Sequence, residues 1–288
     1  MKLTCVTVVF NAVKSGNGEN LTRCVESVAK LKVEHEHLIY DGKSTDGTFE
    51  LLNELEHKTP NLKVVSEKDT GIYSALNKGV RDARGDWFYV LGCDDYLCNT
   101  SILDQLLAQI PDEVDEIIAP VQREKGQRPF FREIQDLSVI FWTVPYSHQG
   151  MVIRTKHVRA FGGFDETYRI CADWDMMNKA HKAGLNILYT FTPFAFYSSG
   201  GLSESDPRGG AEVKAIIQKH LGMTDEETQL YKEIGFPPLK RVFPFLFSHD
   251  LAYRIGAGKM LRRNIRFHIL RFLSVLYRPF KRLLSCNR

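Results

Sequence analysis

The stretch D-W-F-Y-V-L-G-C-D-D (86–95) decides how the rest of the chain is read. An apolar run through Leu91 reads as a buried strand, Gly92 closes it, and two adjacent carboxylates, Asp94 and Asp95, follow at once. Working back towards the N-terminus, strand-like and helix-like segments alternate. Leu3–Phe10 is a β-branched run ended by Asn11, and Leu21–Leu31 places apolar side chains at helical spacing. Glu36–Tyr40 is a short strand closed by Asp41-Gly42. A helix then runs to about His57, with Thr45 or Ser44 as its cap and Asp46 favouring its positive end. Leu62–Val65 is a strand and Ile72–Ala83 a helix. Strands separated by helices of this length build right-handed βαβ units and a mainly parallel sheet, so the fold class is α/β. In such sheets ligands lie outside the carboxyl ends of the strands. Asn11, Asp41, Glu67–Asp69 and Asp94–Asp95 all follow strand ends, so four strands deliver polar groups to one edge.

Working forward, the pattern loosens. A helix near Ser101–Ile110 and a strand at Glu116–Pro120 precede a hairpin over Gln122–Ile134 that turns near Gly126. A strand at Gly150–Ile153 leads into helices at Thr155–Phe161 and Ala172–Ala183. Asn186–Tyr197 reads as one extended segment, and a helix is expected at Ala211–Leu221. The reading divides the chain into a ligand-binding half (1–100), a catalytic half (101–235) and a C-terminal extension (236–288).

Composition narrows the classes. The 288 residues suffice for one α/β domain with an appendage, and 43% hydrophobic with 25% charged residues excludes wholesale disorder. The net charge of +3 conceals an asymmetry. Residues 250–288 hold ten Lys/Arg and one acid, whereas residues 1–249 hold 28 basic and 34 acidic side chains. Six cysteines lack CxxC or zinc spacing and read as buried free thiols of a cytosolic chain. The run after Lys2 has no small-residue cleavage site, which favours a first strand over a signal peptide. No stretch of eighteen uncharged apolar residues occurs, so no membrane-spanning helix is expected. No GxGxxG follows the first strand and no GxxxxGK[ST] is present, leaving dinucleotide and P-loop chemistry unsupported.

Adjacent carboxylates after a buried strand suit Mg²⁺ or Mn²⁺, which a nucleotide-sugar reaction needs to neutralise its diphosphate leaving group. Backbone alternation lets one aspartate reach a ribose and the other the metal. The alternative is an Asp-Asp turn that merely ends the strand. Asp41 can accept the imide N–H of uracil or thymine, while Asp46 is the structural member of its turn. In the basic tail, Ile265, Ile269, Phe272, Leu273 and Leu276 share a helical face, with Arg263, Arg271 and Arg278 largely opposite and Pro279 interrupting. That amphipathic extension suits an anionic membrane surface. It could instead dock on the body. A nucleic-acid role lacks any base-stacking or groove-reading motif.

The residues that carry a resemblance are V-T-V-V-F-N-A (6–12), Y-D-G-K-S-T-D-G-T (40–48), S-E-K-D-T-G-I-Y-S-A-L-N-K-G (66–79) and A-R-G-D-W-F-Y-V-L-G-C-D-D (83–95). Downstream stand H-Q-G (148–150), F-G-G-F-D-E (161–166) and A-D-W-D (172–175). Over about two hundred residues the chain resembles the family 2 glycosyltransferases of GT-A fold, most of all bacterial enzymes that assemble surface polysaccharides. The resemblance implies a Rossmann-like central sheet flanked by helices. It also implies metal-dependent, inverting transfer of a hexose or N-acetylhexosamine, with a UDP-linked donor preferred. The acceptor would be a glycan or lipid-linked sugar, at the inner face of the cytoplasmic membrane. By the family pattern, the base lies near Phe10 and Asp41, the ribose and diphosphate near Asp94 and the metal on Asp95, with Asp69 at the donor pocket and Asn11 also among the donor-binding residues. Asp173 matches the family's base, although Ala172 stands where the family has Glu. Its other reading is a helix cap, and Asp175 is the competing base. His148 could meet the diphosphate or the acceptor, or be structural. Trp174 and Trp142 could stack on sugars or belong to the core. Two rival functions are a silent sugar-nucleotide or glycan binder and a sugar nucleotidyltransferase. The second lacks the Gly-rich basic loop after strand one that its chemistry needs.

Overall fold

Strand β1 (Leu3–Val9) is buried at every position but Val8, as a strand must be when helices cover both faces of its sheet. The computed structural model describes residues 1–123, 131–132, 144, 146–199, 206–222, 224–225 and 228. Chain order continues α1 (Gly18–Ala29), β2 (His35–Asp41), α2 (Thr48–Lys58), β3 (Leu62–Ser66), α3 (Ile72–Asp82) and β4 (Trp87–Val90). Then come β5 (Tyr96–Leu97), α4 (Thr100–Gln109), β6 (Glu116–Ile118), β7 (Val121–Arg123) and β8 (Phe131–Arg132). A 3₁₀ turn (His148–Gly150) leads into β9 (Met151–Arg154), α5 (Thr155–Ala160), α6 (Ala172–Ala183), β10 (Ile187–Tyr189) and β11 (Ala195–Tyr197).

Among the described residues, seven strands form one sheet in the order β10-β6-β9-β4-β1-β2-β3. β1 pairs in parallel with β2 and β4, and β2 with β3, so the carboxyl ends of these four strands share one edge. β9 alone runs antiparallel to its neighbours β4 and β6. A four-stranded sheet, β5-β11-β7-β8, joins residues just after the acidic pair to β11. Both sheets lie in one compact unit, Met1–Gln135 with Val144–Gly209. Helix α7 (Gly209–Leu221) belongs from Gly210 to a second unit, where Lys214 pairs with Asp225.

The apolar stripe of α1 (Leu21, Cys24, Val25, Val28) supplies two neighbouring core clusters, one with β1, β4 and α4, the other with β2 and α2. Several polar side chains in this core are matched, although Trp87 Nε1 and His37 Nδ1 are buried without a hydrogen-bond partner. Thr7 donates to the Leu91 carbonyl at 2.9 Å, and Glu36 receives Thr4 Oγ1, Arg84 N and Arg84 Nε at 2.7–2.8 Å. No disulfide joins the described cysteines.

Two expectations need correction. Helix α2 is capped by neither Thr45 nor Ser44: its N-cap is Gly47 at φ 95°, a left-handed conformation, and Asp46 Oδ1 receives the Thr48 N–H. The segment Asn186–Tyr197 is not one strand. A turn that includes Pro193 splits it, sending β10 to the large sheet and β11 to the small one. The turn near Gly126, Trp142, Cys286 and the tail over 265–284 lie outside the described residues. Among those described, no helix is long and apolar enough to cross a membrane.

Candidate active site

Four strand ends bring the predicted residues to the shared edge. After β1, Phe10 is 64% exposed, a large aromatic left in solvent. Asn11 adopts φ 50°, receives Thr45 N at 3.0 Å on its side-chain oxygen, and so ties this turn to the one after β2. Asp41, at the end of β2, is 1% exposed; Ser66 Oγ donates to it at 2.5 Å and Ser44 N at 3.2 Å. A methyl on Gly42 would fall 2.9 Å from Asp69 Oδ2 and 3.3 Å from Phe10 Cδ2, so Phe10 and Asp69 close over that glycine. Asp69 in turn receives the Gly71 N–H at 3.0 Å. Phe10, Asn11, Asp41 and Asp69 are thus one cluster.

The acidic pair follows β4. Gly92 has no side chain because there is no room: a Cβ would lie 2.5 Å from Asp95 Oδ2 and 3.0 Å from Asp94 Oδ1. The two aspartates differ. Asp95 is 2% exposed, and both of its oxygens are held, Oδ2 by Gln149 Nε2 and Oδ1 by the Ser198 N–H, each at 2.8 Å. Ser198 Oγ also donates to the Asp94 carbonyl at 2.6 Å. Burial, and then the charge of Asp94, push the Asp95 carboxyl up to about 6 against those donated bonds. Asp94 is more open, and burial raises its carboxyl as well.

Two adjacent carboxylates, each raised by burial and one by the other, form a hard-oxygen site whose like charges a divalent cation would relieve. Among the described residues no third Asp, Glu, His or Cys completes a ligand set. A cation here would therefore take its remaining ligands from diphosphate and water, as Mg²⁺ commonly does.

Asp173 opens α6. Its Oδ2 lies 3.2 Å from His148 Nδ1, and its Oδ1 lies 2.8 Å from the Trp174 N–H and 3.3 Å from the Tyr73 hydroxyl. Burial works against a protonated His148, but the carboxylates of Asp173, Asp95 and Asp94 outweigh it and raise the imidazole pKa. Asp175 is fully buried and pairs with Lys179 at 3.0 Å, one turn along α6, so it serves packing. Trp174 is corrected: at 0% exposure its indole belongs to the core and offers no face to a sugar. Three residues of the site were not picked out from sequence. Gln149 and Tyr73 stand in the quoted motifs, whereas Ser198 follows β11 with no motif to mark it.

The model of glycosyl transferase family 2 matches residues 4–175. A PGL/p-HBAD biosynthesis glycosyltransferase of Mycobacterium bovis is 28% identical over 193 residues, 64% of this chain and 74% of that one. Among solved structures, S. aureus TarS 1–349 in complex with UDP-GlcNAc superposes with a TM-score of 0.64 at 20% identity, covering 85% of this chain and 73% of that one. The mannosyltransferase PcManGT from Pyrobaculum calidifontis, in complex with GDP-Man and Mn²⁺, gives 0.56 at 16% identity, covering 99% and 83%. Both likenesses establish the GT-A fold. With its sheet, strand-end acids and family match together, this chain is a glycosyltransferase and belongs to glycosyl transferase family 2.

Proposed function

We propose that the chain moves a hexose or N-acetylhexosamine, with inversion, from a UDP-linked donor to a hydroxyl of a glycan or lipid-linked acceptor in surface polysaccharide assembly. The geometry that supports this reading is Asp173 Oδ2 at 3.2 Å from His148 Nδ1, whose chain neighbour Gln149 donates to Asp95 Oδ2 at 2.8 Å. A carboxylate of moderate exposure thus lies near the acidic strand edge. Phe10, Asn11, Asp41 and Asp69 receive the nucleoside, with Phe10 as the open aromatic face for the base. Asp94 meets the ribose and diphosphate, and Asp95, steadied by Gln149 and Ser198, holds Mg²⁺ or Mn²⁺. A bound cation offsets the charge that develops on the departing diphosphate. Asp173 takes the proton of the acceptor hydroxyl as its oxygen bonds to the anomeric carbon. The electron pair of the broken C1–O bond leaves with the diphosphate. His148 lies where it can face that diphosphate or the acceptor. Support for the donor class comes from TarS, bound to UDP-GlcNAc, and for the metal from PcManGT, bound to Mn²⁺. The basic tail, residues 250–288, holds the enzyme on the inner face of an anionic membrane.

Calorimetry with UDP, dTDP and GDP, each with Mn²⁺ and with EDTA, tests the donor site. UDP binding that needs Mn²⁺ is expected. Asp173→Asn should lower turnover about 10³-fold, within the range for losing a general base, and leave the UDP Kd within about twofold, as expected of a group that acts on the acceptor. A variant with full rate would remove Asp173 from the mechanism, and no binding of any nucleotide would remove the donor site.

A further inference from the structure

Between the first turn of α3 and the loop that leads into α6 lies a cleft of about 160 Å³. We propose that this cleft is the subsite for the acceptor saccharide, and that Tyr73, on its wall, aligns the acceptor with Asp173. The inference rests on the reading of Asp173 as the base.

The lining has the mixture that sugar recognition requires. Thr70 and Ser74 offer hydroxyls, Glu166 a carboxylate and Arg169 a guanidinium, while Ile72 and Tyr168 supply apolar and aromatic surface. Convergent polar groups with an apolar wall fix the orientation of a hydroxyl-rich ligand. The space is on the scale of one sugar ring and smaller than a nucleotide, and its Gly71 edge adjoins Asp69 of the donor cluster.

The walls are fixed to one another before any ligand arrives. Gly71 has φ 145°, and a Cβ on it would lie 2.6 Å from Arg169 Nη1; the missing side chain lets that guanidinium reach the Thr70 carbonyl. Asn77, further along α3, donates to Phe164 O and Glu166 Oε1 at 2.9 and 2.8 Å and accepts from Phe164 N at 2.8 Å. Walls set in this way spare the ordering cost of binding.

Tyr73 joins the cleft to the chemistry. Its ring stacks on Phe164, with centroids 5.7 Å apart. Its single hydroxyl proton serves either Ile170 O at 2.6 Å or Asp173 Oδ1 at 3.3 Å. The same side chain therefore lines the cleft and limits where the Asp173 carboxylate can sit. An acceptor whose ring fills the cleft can extend a hydroxyl past Tyr73 to that carboxylate. Tyr73 is on this account a positioning residue, acting through Asp173.

The test uses amide spectra of the isotope-labelled full chain, with and without UDP, during titration with methyl hexosides, methyl N-acetylhexosaminides and methyl hexuronides. At least one glycoside should shift the amides of Gly71–Ser74 and Glu166–Ile170. Ile72→Trp, which fills the cleft from a partly exposed position, should abolish those shifts with the UDP Kd within about twofold, since Ile72 is none of the residues read as holding the nucleotide. Silence at these amides across the panel, or shifts that persist in Ile72→Trp, would overturn the subsite. Failure of the donor reading is distinguishable, because UDP itself would then leave Phe10 and Asp94 unmoved. Tyr73→Phe keeps the stack and loses the hydroxyl. It should lower kcat about tenfold or more, in keeping with misplaced reacting groups, and leave the acceptor KM within about threefold, since an aligning group acts on the reacting geometry and not on ground-state binding. An unchanged kcat, or a loss confined to KM, would overturn the aligning role.

Discussion

Glu116 lies in β6 at 1% exposure, and its carboxyl receives the Tyr146 hydroxyl at 3.0 Å. Burial, with the charge of Asp115 adding to it, pushes this carboxyl from 4.5 up to about 7. Between those values the folded chain keeps a proton that the unfolded chain has lost, so stability falls as pH rises from about 4.5 to 7 and then levels. At 1.36 kcal/mol per unit the penalty above pH 7 is at most about 3 kcal/mol. Glu116→Gln keeps an acceptor for Tyr146 and removes the charge. Urea unfolding should find it more stable than wild type at pH 8 by roughly 1–3 kcal/mol, and no different near pH 4.5. At Asp95 the argument runs through donors. Gln149→Ala leaves Oδ2 buried without one, which should cost about 1–3 kcal/mol and weaken Mn²⁺-dependent UDP binding. Adding Asp95→Asn to Gln149→Ala should recover much of the stability and none of the binding, as read in a double-mutant cycle.

Helix α3 is the element that joins the loop after β3 to Asp173, through the Tyr73 hydroxyl. Its Asn77 makes three hydrogen bonds to Phe164 and Glu166, and Asn77→Ala breaks all three. The expected loss is about 2–4 kcal/mol at about 1 kcal/mol or more per bond, with limited proteolysis appearing first in residues 162–170. At this scale the sequence was mostly readable. β1, β2 and β4 are buried on both faces, which the apolar run of β4 and the β-branched run of β1 announce more plainly than the His35-Glu36-His37 start of β2, and a carboxylate or amide marks where each ends. Periodicity likewise gave α3 and α6 nearly to the residue. The failures have local causes. Gly47 caps α2 through its left-handed backbone, which a search for Ser or Thr side chains overlooks. Pro193 breaks what β propensity alone would join. Trp174 shares a helix start with Asp173, and sequence spacing does not say which of two neighbours faces the core. Tyr73, within a recognised motif, gave no sign of its reach to Asp173, because its partners lie 97 and 100 residues away.

At the scale of the whole chain, charge is divided: residues 250–288 hold ten basic side chains and one acid, against a mildly acidic remainder. Replacing Arg263, Arg266 and Arg271 by Glu in the full chain should abolish sedimentation with anionic vesicles. UDP binding is expected to persist, and each basic residue to be worth about 1 kcal/mol of vesicle binding, as is usual near an anionic surface. Vesicle binding unchanged by the three substitutions would end the membrane reading. The clamp on Asp95 also has a history in time. Its two donors stand 54 and 103 residues later in the chain, at Gln149 and Ser198. Strands β1 to β4 can assemble as soon as they leave the ribosome, yet at about 5–20 residues per second Ser198 is made roughly 5–20 s after the carboxylate it must hold. During that interval the nascent chain carries an unclamped Asp95 at the end of β4, and this end of the strand edge is the last to mature.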